Sequence, residues 1–130
     1  MGIKARKTRE KLSAGSLEIM NVVWDKGEVS INEVMDAVNS RRKNPLKRNA
    51  IQVQMNRLEE YGWSTHRKEG RTFQYSAAAE ERKTRKAILK DIRDRVFNGS
   101  RSELVRCLLE DGEVSRDEIS SLRKMLDELD

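Results

Sequence analysis

The chain has 130 residues, of which 38% are charged, 36% hydrophobic and only 5% aromatic. That balance argues against one large core and favours small helical units that share apolar surface with a partner chain. Charge is divided unevenly: residues 1–78 hold 15 Lys+Arg against 9 Asp+Glu, a net of +6, whereas residues 79–130 hold 12 against 13, a net of −1. A basic half attracts polyanions, most commonly nucleic acid. The alternative, an anionic membrane, fails because no segment is apolar enough to span or lie in one. The single cysteine, Cys107, excludes an intrachain disulfide framework, and Met1–Lys11 lacks the apolar run of a secretory signal. Together these point to the cytoplasm.

In chain order, residues 1–11 read as a flexible basic arm able to lie on phosphates. Ser13 has the character of an N-cap, with Leu12 and Leu17 at the hydrophobic-staple positions, and the helix that follows runs through Ile19, Met20, Val23 and Trp24 to a stop at Gly27. Glu28-Val29 suits a short strand. Ser30 to Glu33 has capping-box spacing, stapled by Val29 and Val34, and opens a second helix that buries Ile31, Val34, Met35 and Val38. It ends before Pro45, which disfavours helix in the residue preceding it. Ser40–Lys47 is a polar, basic loop.

The stretch Asn49–Tyr75 carries the functional signal. A third helix runs from Asn49 to Tyr61 with Gly62 as its stop. Ile51, Met55 and Leu58 share one face, and Asn49, Gln52, Val53, Asn56 and Arg57 lie opposite. Amide side chains on such a face suit adenine, and Val53 suits a thymine methyl. Arg57 is expected to contact phosphate at the far end, and Lys47 and Arg48 to clamp phosphates at the helix start, where the helix dipole also favours an anion. Strands over Trp63–Lys68 and Thr72–Ser76 form a hairpin bearing Arg67, Lys68 and Arg71, which suit backbone or minor groove. Phe73 and Tyr75 share one strand face, expected to pack back on the three helices. The pattern is that of a winged helix-turn-helix binding double-stranded DNA. The bland alternative is a helix–hairpin corner with a solvated polar face.

Residues 79–130 read as three amphipathic helices. Ile88, Leu89, Ile92 and Val96 stripe the first, which ends at Phe97-Asn98-Gly99. Capping-box spacings at Ser100–Glu103 and Ser115–Glu118 open the other two, with Leu104, Leu108, Leu122 and Leu126 on their apolar sides. A unit this small struggles to bury enough surface alone, so these residues are expected to form a homodimer interface. A two-fold dimer also supplies the two reading helices that paired half-sites need. The alternative is a monomeric helical cap on the first domain. The fold class is therefore mainly α with a small β-hairpin: a winged helix-turn-helix over 12–78 and a three-helix dimerisation domain over 79–130.

Catalysis finds no constellation. The only histidine, His66, lies on the hairpin, and Cys107 sits on an apolar stripe where buried packing is its expected role, with redox sensing as the alternative. No third group orients either one. With no glycine-rich phosphate loop and no metal-ligand cluster, the expectation is a non-enzyme without metal or cofactor.

With these elements in place, the chain resembles the bacterial penicillinase-repressor family over about residues 12–129. The resemblance rests on the opening helix Leu12–Trp24 and on Asn56-Arg57-Leu58 through Tyr61-Gly62. The wing His66-Arg67-Lys68-Glu69-Gly70-Arg71 with Phe73 and Tyr75 carries it further, as do Phe97-Asn98-Gly99, Leu104-Val105 and Asp117-Glu118-Ile119. It implies a homodimeric repressor whose winged helices bind a near-palindromic operator and whose C-terminal helices interlock. Three departures stand out. Members usually open the recognition helix with Pro-Lys-Thr and place a second threonine three residues on. Here Asn49, Ala50 and Val53 stand in those places, so the resemblance implies a different operator sequence. Where antibiotic-resistance members are cleaved at an Asn-Phe bond, the matching bond is Cys107-Leu108, which makes a regulatory protease a candidate partner. The paired cysteines of copper-responsive members are missing, so no metal is expected. The competing functions are a winged-helix adaptor that binds protein, and a ligand-sensing repressor of another winged-helix family.

Overall fold

The computed structural model describes residues 11–129. The basic arm expected over 1–11 therefore lies, but for Lys11, outside the described residues. The chain divides after Thr84 into two compact units. The first contains α1 (Ala14–Lys26), β1 (Glu28–Val29), α2 (Ile31–Asn39), α3 (Arg48–Glu60), β2 (Ser64–Glu69) and β3 (Thr72–Ala77). Helix α4 (Glu81–Val96) straddles the division, and α5 (Arg101–Glu110) and α6 (Arg116–Asp127) complete the second unit. The strands form one antiparallel sheet in the order β1-β3-β2.

Local chemistry sets the helix ends. The Ser13 hydroxyl accepts from the Ser16 amide at 3.1 Å, which satisfies one of the donors that every helix start leaves open. Gly27, at φ 83°, takes the left-handed conformation that stops α1, and its N–H donates to Val23 O at 2.9 Å. At Ser30 the full reciprocal box forms: Glu33 N–H donates to Ser30 Oγ at 3.2 Å, and Ser30 N–H donates to Glu33 Oε1 at 2.9 Å. Its staple residues, Val29 and Val34, are both fully buried.

The loop between α2 and α3 is clasped by one side chain. Asn39 Nδ2 donates to Leu46 O at 2.9 Å while Leu46 N–H donates to Asn39 Oδ1 at 2.8 Å. The amide thus imitates a strand partner for Leu46 and sets where α3 begins. Inside, Ile19, Met20 and Val23 of α1 meet Val34 and Val38 of α2, Ile51, Met55 and Leu58 of α3, and Tyr75 of β3. Burying each large apolar side chain contributes about 1.5–3 kcal/mol relative to leaving it in water. Ser16 Oγ donates to Gln54 Oε1 at 3.0 Å, tying α1 to α3 beside this core.

Two expectations about individual side chains are corrected. Phe73 does not pack back on the helices with Tyr75: it is 44% exposed, while Tyr75 is 3% exposed. Both residues point the same way, but Phe73 pairs with Lys68 near the hairpin turn, about 7 Å farther along the strand. There its ring meets His66 edge-on, with centroids 4.8 Å apart. Cys107 is also not buried; it is an exposed thiol on α5.

The first unit runs on past Ala78 to Thr84. Trp24 Nε1–H donates to Ala79 O at 3.0 Å, and Ala79 and Thr84 are buried. In the second unit, the Ser100 and Ser115 hydroxyls accept from the Glu103 and Glu118 amides. Asn98 at φ 50° and Gly99 at φ 84° turn the chain out of α4, and the Gly99 amide closes on Arg93 O at 2.9 Å. Neither α5 nor α6 buries a residue. Leu108 and Leu126 are 64% and 66% exposed, with Leu89, Val96, Val105 and Leu109 also in the open.

Candidate nucleic-acid interface

Core burial on α3 orients the opposite side. Because Ile51, Met55 and Leu58 point inward, Asn49, Val53, Asn56 and Arg57 are turned outward, and all four are exposed. Val53, an apolar side chain, is 53% exposed among them. Gln52 stands at the margin, half-buried. Its Nε2 donates to Asn56 Oδ1 at 3.0 Å and faces the Tyr75 hydroxyl at 3.4 Å.

The start of α3 is electropositive. Lys47 occupies the N-cap without a side-chain cap bond, and the first turn holds no acidic residue. Arg48 Nε donates to Asn32 Oδ1 of α2 at 3.2 Å, which steers the guanidinium along the α2–α3 corner. Lys47 and Arg57 form no ion pair among the described residues, so their charges remain available to an anion.

On the wing, the three predicted cations differ. Lys68 and Arg71 are exposed near the Gly70 turn and have no ion pair among the described residues. Arg67 is engaged. Its Nε donates to Glu28 Oε2 at 2.8 Å and its Nη2 to Glu28 Oε1 at 2.9 Å, with Glu69 Oε2 at 3.5 Å. The bidentate bond raises the Arg67 pKa further above its already high value and lowers that of Glu28. Arg67 and Glu28 sit on either side of the central strand β3, so the pair straps the wing to β1. His66 faces the opposite way, its Nδ1 2.6 Å from Glu59 Oε1 of α3.

This arrangement is a protruding polar helix face flanked by a basic hairpin, on a scaffold of three helices and a three-stranded sheet. A family model described as penicillinase repressor matches residues 12–128. The chain belongs to the penicillinase repressor family. Among its relatives, the methicillin resistance regulatory protein MecI of Mammaliicoccus sciuri is 30% identical over 120 residues, 92% of this chain and 95% of that protein. The penicillinase repressor of Bacillus licheniformis is 29% identical over 118 residues, 91% of each chain. The solution structure of the DNA binding domain of the repressor BlaI superposes with a TM-score of 0.51 at 30% identity, covering 58% of this chain and 89% of that one. Membership in the penicillinase repressors removes the reading as a repressor of another winged-helix family.

Several residues that organise the interface escaped the sequence reading. Glu28, which neutralises Arg67, looked like part of a short strand; opposite charges across a three-stranded sheet become visible only once the strand order is known. Asn39 and Asn32, which set the start of α3 and the direction of Arg48, carried no periodic signal. Tyr75 reads in the sequence as a core aromatic, and its hydroxyl also reaches Gln52 at the margin of the outward face of α3.

Proposed function

We propose that this DNA-binding transcriptional repressor acts as a homodimer on a near-palindromic operator. Asn49, Gln52, Val53 and Asn56 of α3 enter the major groove; Lys47, Arg48 and Arg57 hold phosphates; Lys68 and Arg71 carry the wing onto the backbone or adjacent minor groove. The observation that carries this reading is the orientation of α3. The face opposite Ile51, Met55 and Leu58 is free of the protein's own core, and it holds amide side chains and a valine, with Arg57 beside them. Arg67, included with the wing cations from sequence, is assigned a scaffolding role because its charge is already matched by Glu28.

The dimer reading is supported by the second unit, where α5 and α6 leave Leu108 and Leu126 largely in water. Pairing two copies would cover this surface together with Ile88, Leu89, Ile92, Val96, Leu104 and Leu122. Bound across a promoter in the cytoplasm, the dimer obstructs polymerase. Among the described residues, no helix is long and apolar enough to cross a membrane. Release by a protease at Cys107-Leu108 is supported by the match of this bond to the family's cleaved bond. A cut there divides α5 and separates α6 from the rest of the pairing surface, which lowers operator affinity by undoing the dimer.

Footprinting on the DNA upstream of the protein's own coding region tests the reading. A protected two-fold element that is lost at high salt is the expected result. No protection, and no shifted genomic fragment at moderate salt, would overturn it in favour of a protein-binding adaptor.

A further inference from the structure

On the outward side of α3, two amide side chains one turn apart are already bonded to each other. Gln52 Nε2 donates to Asn56 Oδ1 at 3.0 Å, and the same nitrogen faces the Tyr75 hydroxyl at 3.4 Å. Tyr75 is a firm post. Its ring is buried, and its backbone pairs with Val29 on one side and His66 on the other. Both hydrogens of the Gln52 amino group thus have acceptors from this protein.

What remains is chemically specific. Among the described residues, Gln52 Oε1 and Asn56 Nδ2 have no partner, so the pair offers one acceptor and one donor. Turning both amides over exchanges the two roles without changing the sum. In the major groove guanine presents two acceptors, cytosine a donor, and thymine an acceptor beside a methyl group. Adenine alone sets an acceptor, N7, beside a donor, the N6 amino group. A lone asparagine or glutamine can satisfy an adenine by itself with both ends of its amide. Here each has spent one end on the other, so two side chains are left to serve one base.

We propose that Gln52 and Asn56 form a composite reader of a single adenine in each half-site, with Tyr75 as its positioning residue. One amide donates to N7 while the other accepts from the N6 amino group. The inference rests on the repressor reading, because it needs α3 in the major groove. Since the pair is assembled before DNA arrives, little rotamer freedom is lost on contact, which favours discrimination.

The test selects binding sites for the full-length protein from a duplex library randomised across the half-site. The composite reader predicts an adenine at one position whose replacement by another base lowers affinity about tenfold or more. Replacing that adenine with 7-deazaadenine or with purine should each remove much of the preference. Gln52→Ala and Asn56→Ala should relax that same base pair, with the double variant no worse than either single one. Tyr75→Phe, with its melting temperature as control, should weaken preference there and leave the salt dependence of binding unchanged. Relaxation of two different base pairs, or no adenine at the shared position, would overturn the composite reader while leaving the repressor intact. Full discrimination by Tyr75→Phe would remove the positioning role. If Tyr75→Phe does not fold, the comparison of Gln52→Ala with Asn56→Ala decides the matter alone. Recovery of no duplex by the unaltered protein would sink both this inference and the repressor reading.

Discussion

Arg67 and Glu28 meet through two near-parallel hydrogen bonds across the width of the sheet, at 2.8 and 2.9 Å. Both side chains are half-exposed, so this is a surface ion pair whose geometry fixes the guanidinium toward β1. The pair sets Arg67 apart from Arg71, which has no ion pair among the described residues.

Arg71 and Arg67 should accordingly give different signatures. Arg71→Ala should weaken binding to all duplexes alike and reduce the salt slope by about 1, as expected for the loss of one phosphate contact. Arg67→Ala should leave the salt slope nearly unchanged, because a guanidinium bonded to Glu28 displaces no counterion from the phosphates, although the unpaired Glu28 left behind lowers affinity. Titrations of both variants at several salt concentrations check this; equal slopes would return Arg67 to the phosphate-binding set.

Acid should loosen the first unit through two named carboxylates. The Arg67 hydrogen bonds hold the Glu28 pKa below its ordinary 4.5, and the Ser30 amide and hydroxyl do the same for Glu33. Because both folded-state values are depressed, their stabilisation is present above the unfolded value and is lost as pH falls through the lowered ones. Denaturant midpoints measured downward from pH 4.5 should therefore fall in the unaltered protein. The fall should be shallower in a Glu28→Gln, Glu33→Gln double variant.

Asn39→Ala should destabilise the first unit by about 1–3 kcal/mol, since it removes both hydrogen bonds to Leu46 and leaves that backbone without its partner. Chemical denaturation reads the loss. DNA affinity should drop further than stability alone accounts for, because the clasp sets the start of α3. Unchanged affinity under conditions where the variant is fully folded would show that the loop does not govern helix placement.

Leu126→Glu should separate the proposed dimer. The side chain is largely exposed in the single chain, so a charge there has little folding cost, but it would be unpaired and desolvated in an apolar interface. Sedimentation should report a monomer with an unchanged helical signal. Operator affinity should fall because two half-sites are no longer engaged together. A dimer that survives the substitution would place the pairing surface elsewhere.

The helix starts, the buried face of α3 and the hairpin are all legible in local patterns. Ser13, Ser30, Ser100 and Ser115 announce their helices because capping chemistry acts within four residues. Ile51, Met55 and Leu58 define the inner face of α3 by periodicity, and the outer face follows by subtraction. Bonds between segments distant in sequence carry no such local trace. Arg67 with Glu28, Asn39 with Leu46, and Gln52 with Tyr75 each depend on how separate elements pack. That is why the Glu28 partner of Arg67 is invisible in the sequence, why Phe73, two residues too near the turn, misses the core, and why the exposure of Cys107 appears only in the fold. Spacing along the chain dictates which way a residue turns on its own helix or strand; folding alone settles which charges are already matched and which polar groups are left for a ligand.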